Sequence, residues 1–166
     1  MGKEEVSAWV FERFKGKYSC LDVGVGEGVW NDLLRDCFFR FDGVEIHYPY
    51  VEEFNLANRY SNLFIGDIED YKYLYYNLVI FGDVIEHMDV EKAQWVLEYA
   101  RHHSQDQIIA VPWLYEQGEI NGNVYETHLQ PDLTPEVFAE RYPMYESLWD
   151  DGRYAYYHLR GAKYDV

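Results

Sequence analysis

The chain has 166 residues, 48% of them hydrophobic, which is enough for a full core and excludes a disordered chain. A formal charge of −16 repels phosphate backbones and anionic lipids, so nucleic acid and membrane surfaces are not expected as partners. Aromatic residues reach 19%, with 17 tyrosines, so several are expected half-exposed or around a pocket.

Val6, Trp9, Val10 and Phe14 fall at helical spacing and predict a first amphipathic helix over 4–15, ended by Gly16. A buried strand through Ser19–Val23 follows, then three alternating glycines at 24, 26 and 28. Trp30, Leu33, Leu34 and Cys37 continue at helical spacing to about Phe39. Residues 40–46 read as a second strand, closed by the acid Glu45 and by Ile46. Pro49 starts a helix, and 62–65 is a short third strand stopped by Gly66-Asp67. Residues 68–76 hold at most a short helix.

The apolar run Leu78–Phe81 marks a central strand covered on both faces. After Gly82–Met88, Asp89 is placed to cap a helix with Ala93, Val96, Leu97 and Ala100 inward. Residues 107–111 form a fifth strand closed by Pro112. The stretch 113–133 is long and irregular, as functional loops often are. Thr134-Pro135 starts a helix, and Asp150–Arg153 turns a terminal hairpin. Strands alternating with helices predict one α/β domain over 1–166. It is a Rossmann-like, doubly wound, mainly parallel sheet of about seven strands, ending in an antiparallel hairpin. Ligands of such sheets bind at the carboxyl ends of the strands.

Cys20 and Cys37 lie on apolar patterns without a CxxC pair, which predicts buried free thiols in a reducing, cytoplasmic setting. The first residues are not a secretion signal, and no apolar run reaches transmembrane length.

These stretches together resemble class I S-adenosylmethionine-dependent methyltransferases. Asp22-Val23-Gly24-Val25-Gly26-Glu27-Gly28 is similar to that family's first motif, an acid followed by GxGxG. Glu45 fits the acid ending the second strand, and Gly66-Asp67-Ile68 fits the third-strand motif. Gly82-Asp83-Val84-Ile85-Glu86-His87-Met88 resembles the stretch after the fourth strand, and Val111-Pro112 the end of the fifth. The resemblance spans about 17–160. It departs at Asn77, where many members carry an acid, and in the short third crossover. A dinucleotide fingerprint needs GxGxxG; counted from Gly24, its last glycine would fall on Val29.

The resemblance implies S-adenosylmethionine as cofactor. Gly24, Gly26 and Gly28 would let the backbone approach it, with Val25 and Trp30 beside them. Asp22 would orient the loop or the ligand's ammonium. Glu45 would accept the ribose hydroxyls, with Ile46 packed on the adenine. Asp67 either caps a helix or accepts from the adenine amine, and Ile68 offers a backbone amide. Phe81, Gly82 and Asp83 would run under the sulfonium. Candidates for handling the acceptor are Asp83, His87 and His128, with Tyr115 and Tyr125 as wall residues; the resemblance implies that His87 more often holds its loop than takes a proton. Glu86-His87 with His128 lacks the spacing of a helical zinc motif, so no metal is assigned. The function expected is methyl transfer to a small-molecule acceptor; a cofactor-binding module without catalysis is the alternative.

Overall fold

The computed structural model describes residues 2–162. Helix α1 (Lys3–Arg13) has Glu4 and Glu5 in its first turn and Arg13 in its last, charges that suit its dipole. It leads into β1 (Tyr18–Val23), α2 (Val29–Leu34), β2 (Phe38–Glu45), α3 (Tyr48–Glu53) and β3 (Leu63–Ile65). Then come β4 (Tyr76–Gly82), α4 (Val90–His102), β5 (Ser104–Pro112), α5 (Pro135–Arg141), β6 (Glu146–Asp150) and β7 (Tyr154–Arg160). Strand order is β3-β2-β1-β4-β5-β7-β6. The first five strands pair in parallel, while β7 pairs antiparallel with both β5 and β6.

Residue alternation along the central strands builds two cores. Cys20, Leu78, Ile80, Ile108, Ala110 and Tyr156 face α1 and α2. Leu21, Val79, Phe81, Ile109, Val111 and Tyr157 face α4 and α5. Leu78–Phe81 is wholly buried, as expected of a strand covered on both faces. Asp89 and Thr134 cap α4 and α5 by accepting from the amides of Lys92 and Val137. Cys20 and Cys37 are buried free thiols. No described helix is long and apolar enough to cross a membrane.

Several boundaries differ from the sequence reading, most at the end of α2 and the start of β5. The helix expected to reach Phe39 ends at Leu34, a 3-10 turn spans Arg35–Cys37, and β2 begins at Phe38. Leu33 is half out of the core, so the apolar stripe was shorter than its letters suggested. Strand β5 begins at Ser104, three residues early, because its first turn is polar but paired. Buried Asp106 accepts from Arg13 at 3.2 Å and faces His158 Nε2 at 2.7 Å. Gln107 donates to the Leu97 carbonyl at 3.1 Å. A strand built on satisfied polar groups carries no hydrophobic signal.

The chain order reverses between β1 and β4, which opens a crevice at their carboxyl ends.

Candidate active site

One cavity of about 640 Å³ occupies that crevice. Its floor is the turn after β1. Gly24 and Gly26 adopt positive φ, 69° and 53°. A Cβ on Gly24 would stand 2.4 Å from Val84, while one on Gly26 would meet nothing. The first glycine therefore serves packing, and the second leaves open space toward the ligand side. Arg59 clamps the far side of the turn, donating to the Glu27 carbonyl at 2.6 Å and the Gly28 carbonyl at 2.8 Å. Its guanidinium also meets Asp32 at 2.7 Å.

Glu45 ends β2 with its carboxylate against that turn. It accepts from the Gly26 amide at 2.9 Å and the His47 amide at 2.7 Å, one on each oxygen. Each oxygen keeps a lone pair for a further donor. Burial raises its pKa against these two amides, which lower it. Asp22 lies beneath the floor, outside the cavity lining. Its Oδ2 accepts from the buried Tyr60 hydroxyl at 2.7 Å. Burial pushes the Asp22 carboxyl up to about 8, with the Tyr60 bond opposing.

Across the crevice, Asp67 caps a 3-10 turn by accepting from Glu69 N at 3.1 Å. Its other oxygen pairs with Lys92 Nζ at 2.6 Å. Both arrangements keep Asp67 on the cavity wall, beside Ile68. Trp30 wedges under β4 so closely that a Cβ on Gly82 would fall 2.1 Å from its Nε1.

The β4 side is made of titratable side chains. Asp83 holds a positive φ of 60°, uncommon for a residue with a side chain. Its carboxylate accepts from the Tyr154 hydroxyl of β7. Burial raises its pKa. Glu86 is buried at 1% exposure, lines the cavity, and neither carboxyl oxygen has a hydrogen-bond partner. Burial, then the neighbouring Asp83 charge, holds its pKa well above the carboxylate range.

The 113–133 loop is fastened to this turn. The Glu86 carbonyl accepts from Leu129 N at 2.8 Å and Gln130 N at 3.0 Å. Buried Gln130 donates to the carbonyls of Ile85 at 2.8 Å and Met88 at 3.1 Å. These bonds bring the ring of His128 to 4.6 Å from that of His87. Nδ1 of His128 faces the Tyr115 carbonyl at 2.7 Å, and Nδ1 of His87 faces the Thr127 carbonyl at 3.3 Å. Burial, then His128, lowers the pKa of His87.

Most of the expected site residues line this one cavity: Gly24, Val25, Gly26, Trp30, Glu45 and Ile46 on the β1–β2 side, and Asp67, Ile68, Gly82, Asp83, His87 and His128 beyond them. Tyr115 and Tyr125 stand at its wall as well. Asp22, Gly28 and Phe81 do not reach it. The Phe81 side chain turns into the α4 core, and Gly28 turns its carbonyl to Arg59.

No protein-family model and no curated protein matches this chain. Solved structures do. A methyltransferase dependent on S-adenosylmethionine from Clostridium acetobutylicum ATCC 824 superposes with a TM-score of 0.69, at 11% identity, over 97% of this chain and 92% of that one. Magnesium protoporphyrin IX methyltransferase from Synechocystis PCC 6803, with S-adenosylhomocysteine bound, gives 0.66 at 13% identity, over 96% and 81%. The methyltransferase domain of a bacterial Hen1 gives 0.59 at 22% identity, over 86% and 90%. The chain has the class I methyltransferase fold.

Within this methyltransferase fold, several site residues carried no sequence signal. Arg59 and Tyr60 precede β3 and act on the glycine turn from behind. Lys3 and Tyr154 come from the two ends of the chain and line the cavity. Tyr50 donates to Glu126 at 2.8 Å, linking the β2 side to the long loop. The sequence reading assigned no metal to Glu86, His87 and His128 because their spacing is not that of a helical motif; the fold brings one donor atom of each to within 4.8 Å of the others.

Proposed function

We propose that this chain is an S-adenosylmethionine-dependent methyltransferase acting on a small-molecule acceptor. The observation that carries the reading is the Glu45 carboxylate, fixed by Gly26 N and His47 N at the end of β2 and facing the cavity with one lone pair left on each oxygen. That arrangement suits a vicinal diol such as a ribose. The glycine turn admits the amino-acid end of the cofactor, Ile46 and Ile68 cover the adenine, and Asp67 accepts from its amine once Lys92 shifts. Asp22 acts through the turn it supports. Gly82 and Asp83 lie under the sulfonium, where negative charge favours the cation.

Methyl transfer is an in-line displacement. The acceptor's lone pair forms the new bond to the methyl carbon, and the carbon–sulfur pair returns to sulfur. Holding three atoms in line supplies much of the rate. Asp83, His87 and His128 stand on the acceptor side, with Tyr115 and Tyr125 as walls. The acidic surface favours a neutral or cationic small molecule over nucleic acid.

The test is release of S-adenosylhomocysteine from S-adenosylmethionine over a panel of phenols, sugars, amines and carboxylic acids. Turnover on a panel member, lost in Asp83→Asn, is expected. Tight cofactor binding with no turnover on any acceptor would leave a binding module instead.

A further inference from the structure

We propose that Glu86, His87 and His128 form a site for one divalent transition-metal ion on the acceptor side of the cavity. One donor atom from each of the three lies within 4.8 Å of the other two. Small side-chain rotations bring such a set to the roughly 3–3.5 Å spacing that metal bonds of about 2.0–2.2 Å require.

Three independent observations point to a ligand. Glu86 is fully enclosed, yet both of its oxygens lack a partner. A buried carboxyl left so is costly unless something binds it. Asp83 adds a second carboxylate beside it, its only bonded partner among the described residues being the Tyr154 hydroxyl. Two crowded acids with a single hydroxyl between them favour a cation. Finally, each imidazole turns Nδ1 to a backbone carbonyl, Thr127 for His87 and Tyr115 for His128. A carbonyl only accepts, so Nδ1 carries the proton and Nε2 keeps its lone pair. This is how a protein fixes the tautomer and aim of a metal-binding histidine.

Two imidazoles and one carboxylate select a transition ion such as manganese, cobalt, iron or zinc over magnesium or calcium, which prefer oxygen alone. Three protein ligands leave positions open, and all three residues line the cavity. The acceptor is then a hydroxyl that enters one open position. This part rests on the methyltransferase reading. The bound hydroxyl releases its proton to solvent more readily, and its oxygen pair attacks the methyl carbon.

The test is titration of chelator-treated, full-length protein with manganese(II), following the free-ion signal by electron paramagnetic resonance. One ion per chain is expected. His128→Ala, His87→Ala and Glu86→Gln should each weaken binding about tenfold or more. Glu119→Gln, an exposed acid outside the cavity, should not. Thermal melts and S-adenosylhomocysteine binding of each variant separate lost metal from lost fold, and cobalt(II) absorption reports imidazole coordination. No saturable ion, or equal affinity in His87→Ala and His128→Ala, overturns the site. The titration needs neither cofactor nor turnover. One bound ion without methyl transfer to any hydroxyl therefore upholds the site and overturns only its acceptor role.

Discussion

The two halves of the crevice are built from different materials. The β1–β2 half is largely backbone: glycines at positive φ, amides held by Glu45, and carbonyls held by Arg59. The β4–β5 half is side chain: Asp83, Glu86, His87 and His128, three of them delivered by the segment directly after β4 and one by a distant loop. Backbone hydrogen bonds fix a shape and tolerate little change in it. Titratable side chains fix a chemistry and depend on what is bound. The first half therefore suits an invariant ligand, and the second an exchangeable one.

The sharpest way to break this contrast is Gly24→Val. The new side chain meets Val84 and forces a β-branched residue into positive φ. Overpacking and backbone strain together should cost roughly 2–5 kcal/mol, read in denaturant melts, and abolish cofactor binding. Equal damage from Gly26→Ala, which meets no neighbour, would erase the distinction drawn between these two glycines.

Arg59→Ala comes next. It frees two carbonyls of the turn and leaves Asp32 without its partner. A loss of about 1–3 kcal/mol in stability is expected, with weaker S-adenosylhomocysteine binding in calorimetry. Unchanged binding would mean that the turn holds its own shape.

Asp22 gives a pH test of the same half. The folded chain keeps this proton up to about pH 8, mainly because of burial. The unfolded chain releases it in the ordinary carboxylate range. The folded state thus binds more protons between those limits, and stability from this group falls as pH rises through that window. The slope is about 1.4 kcal/mol per pH unit for one proton. Asp22→Asn should flatten the fall in Tm between pH 5 and about 8. An unchanged slope would show that other groups carry it.

The smallest effect is expected at Asn77, the departure from the acid many related chains carry. Its Oδ1 accepts from Ser19 N at 3.0 Å and its Nδ2 donates to Gln105 at 3.2 Å. Asn77→Asp keeps the first bond and loses the second, about 1 kcal/mol in a thermal melt. Cofactor affinity should not move, because Asn77 lies at the start of β4, away from the cavity.

The same contrast governs what the letters revealed. The β1–β2 half was legible because glycines and a lone acid at a strand end are local signals, and the short spacings hold them in one turn. The two-sided burial of Leu78–Phe81 was equally plain. The first residues of β5, Ser104, Gln105 and Asp106, were not, since buried Asp106 is held in the strand by Arg13 and His158, both remote in sequence. Nor was the meeting of His87 with His128. It depends on Gln130 and on two amides reaching the Glu86 carbonyl across some forty residues, and chain spacing carries no trace of that. Arg59 and Tyr60 were silent for the same reason: they act from behind the turn they hold.

The most direct measurement is calorimetric titration of S-adenosylhomocysteine into the wild-type chain and Glu45→Ala, with NAD as the competing ligand. Saturable binding of S-adenosylhomocysteine alone is expected, weakened about tenfold or more in Glu45→Ala with the melt retained. No binding, or equal affinity in the variant, would contradict the reading of the cavity as an S-adenosylmethionine site.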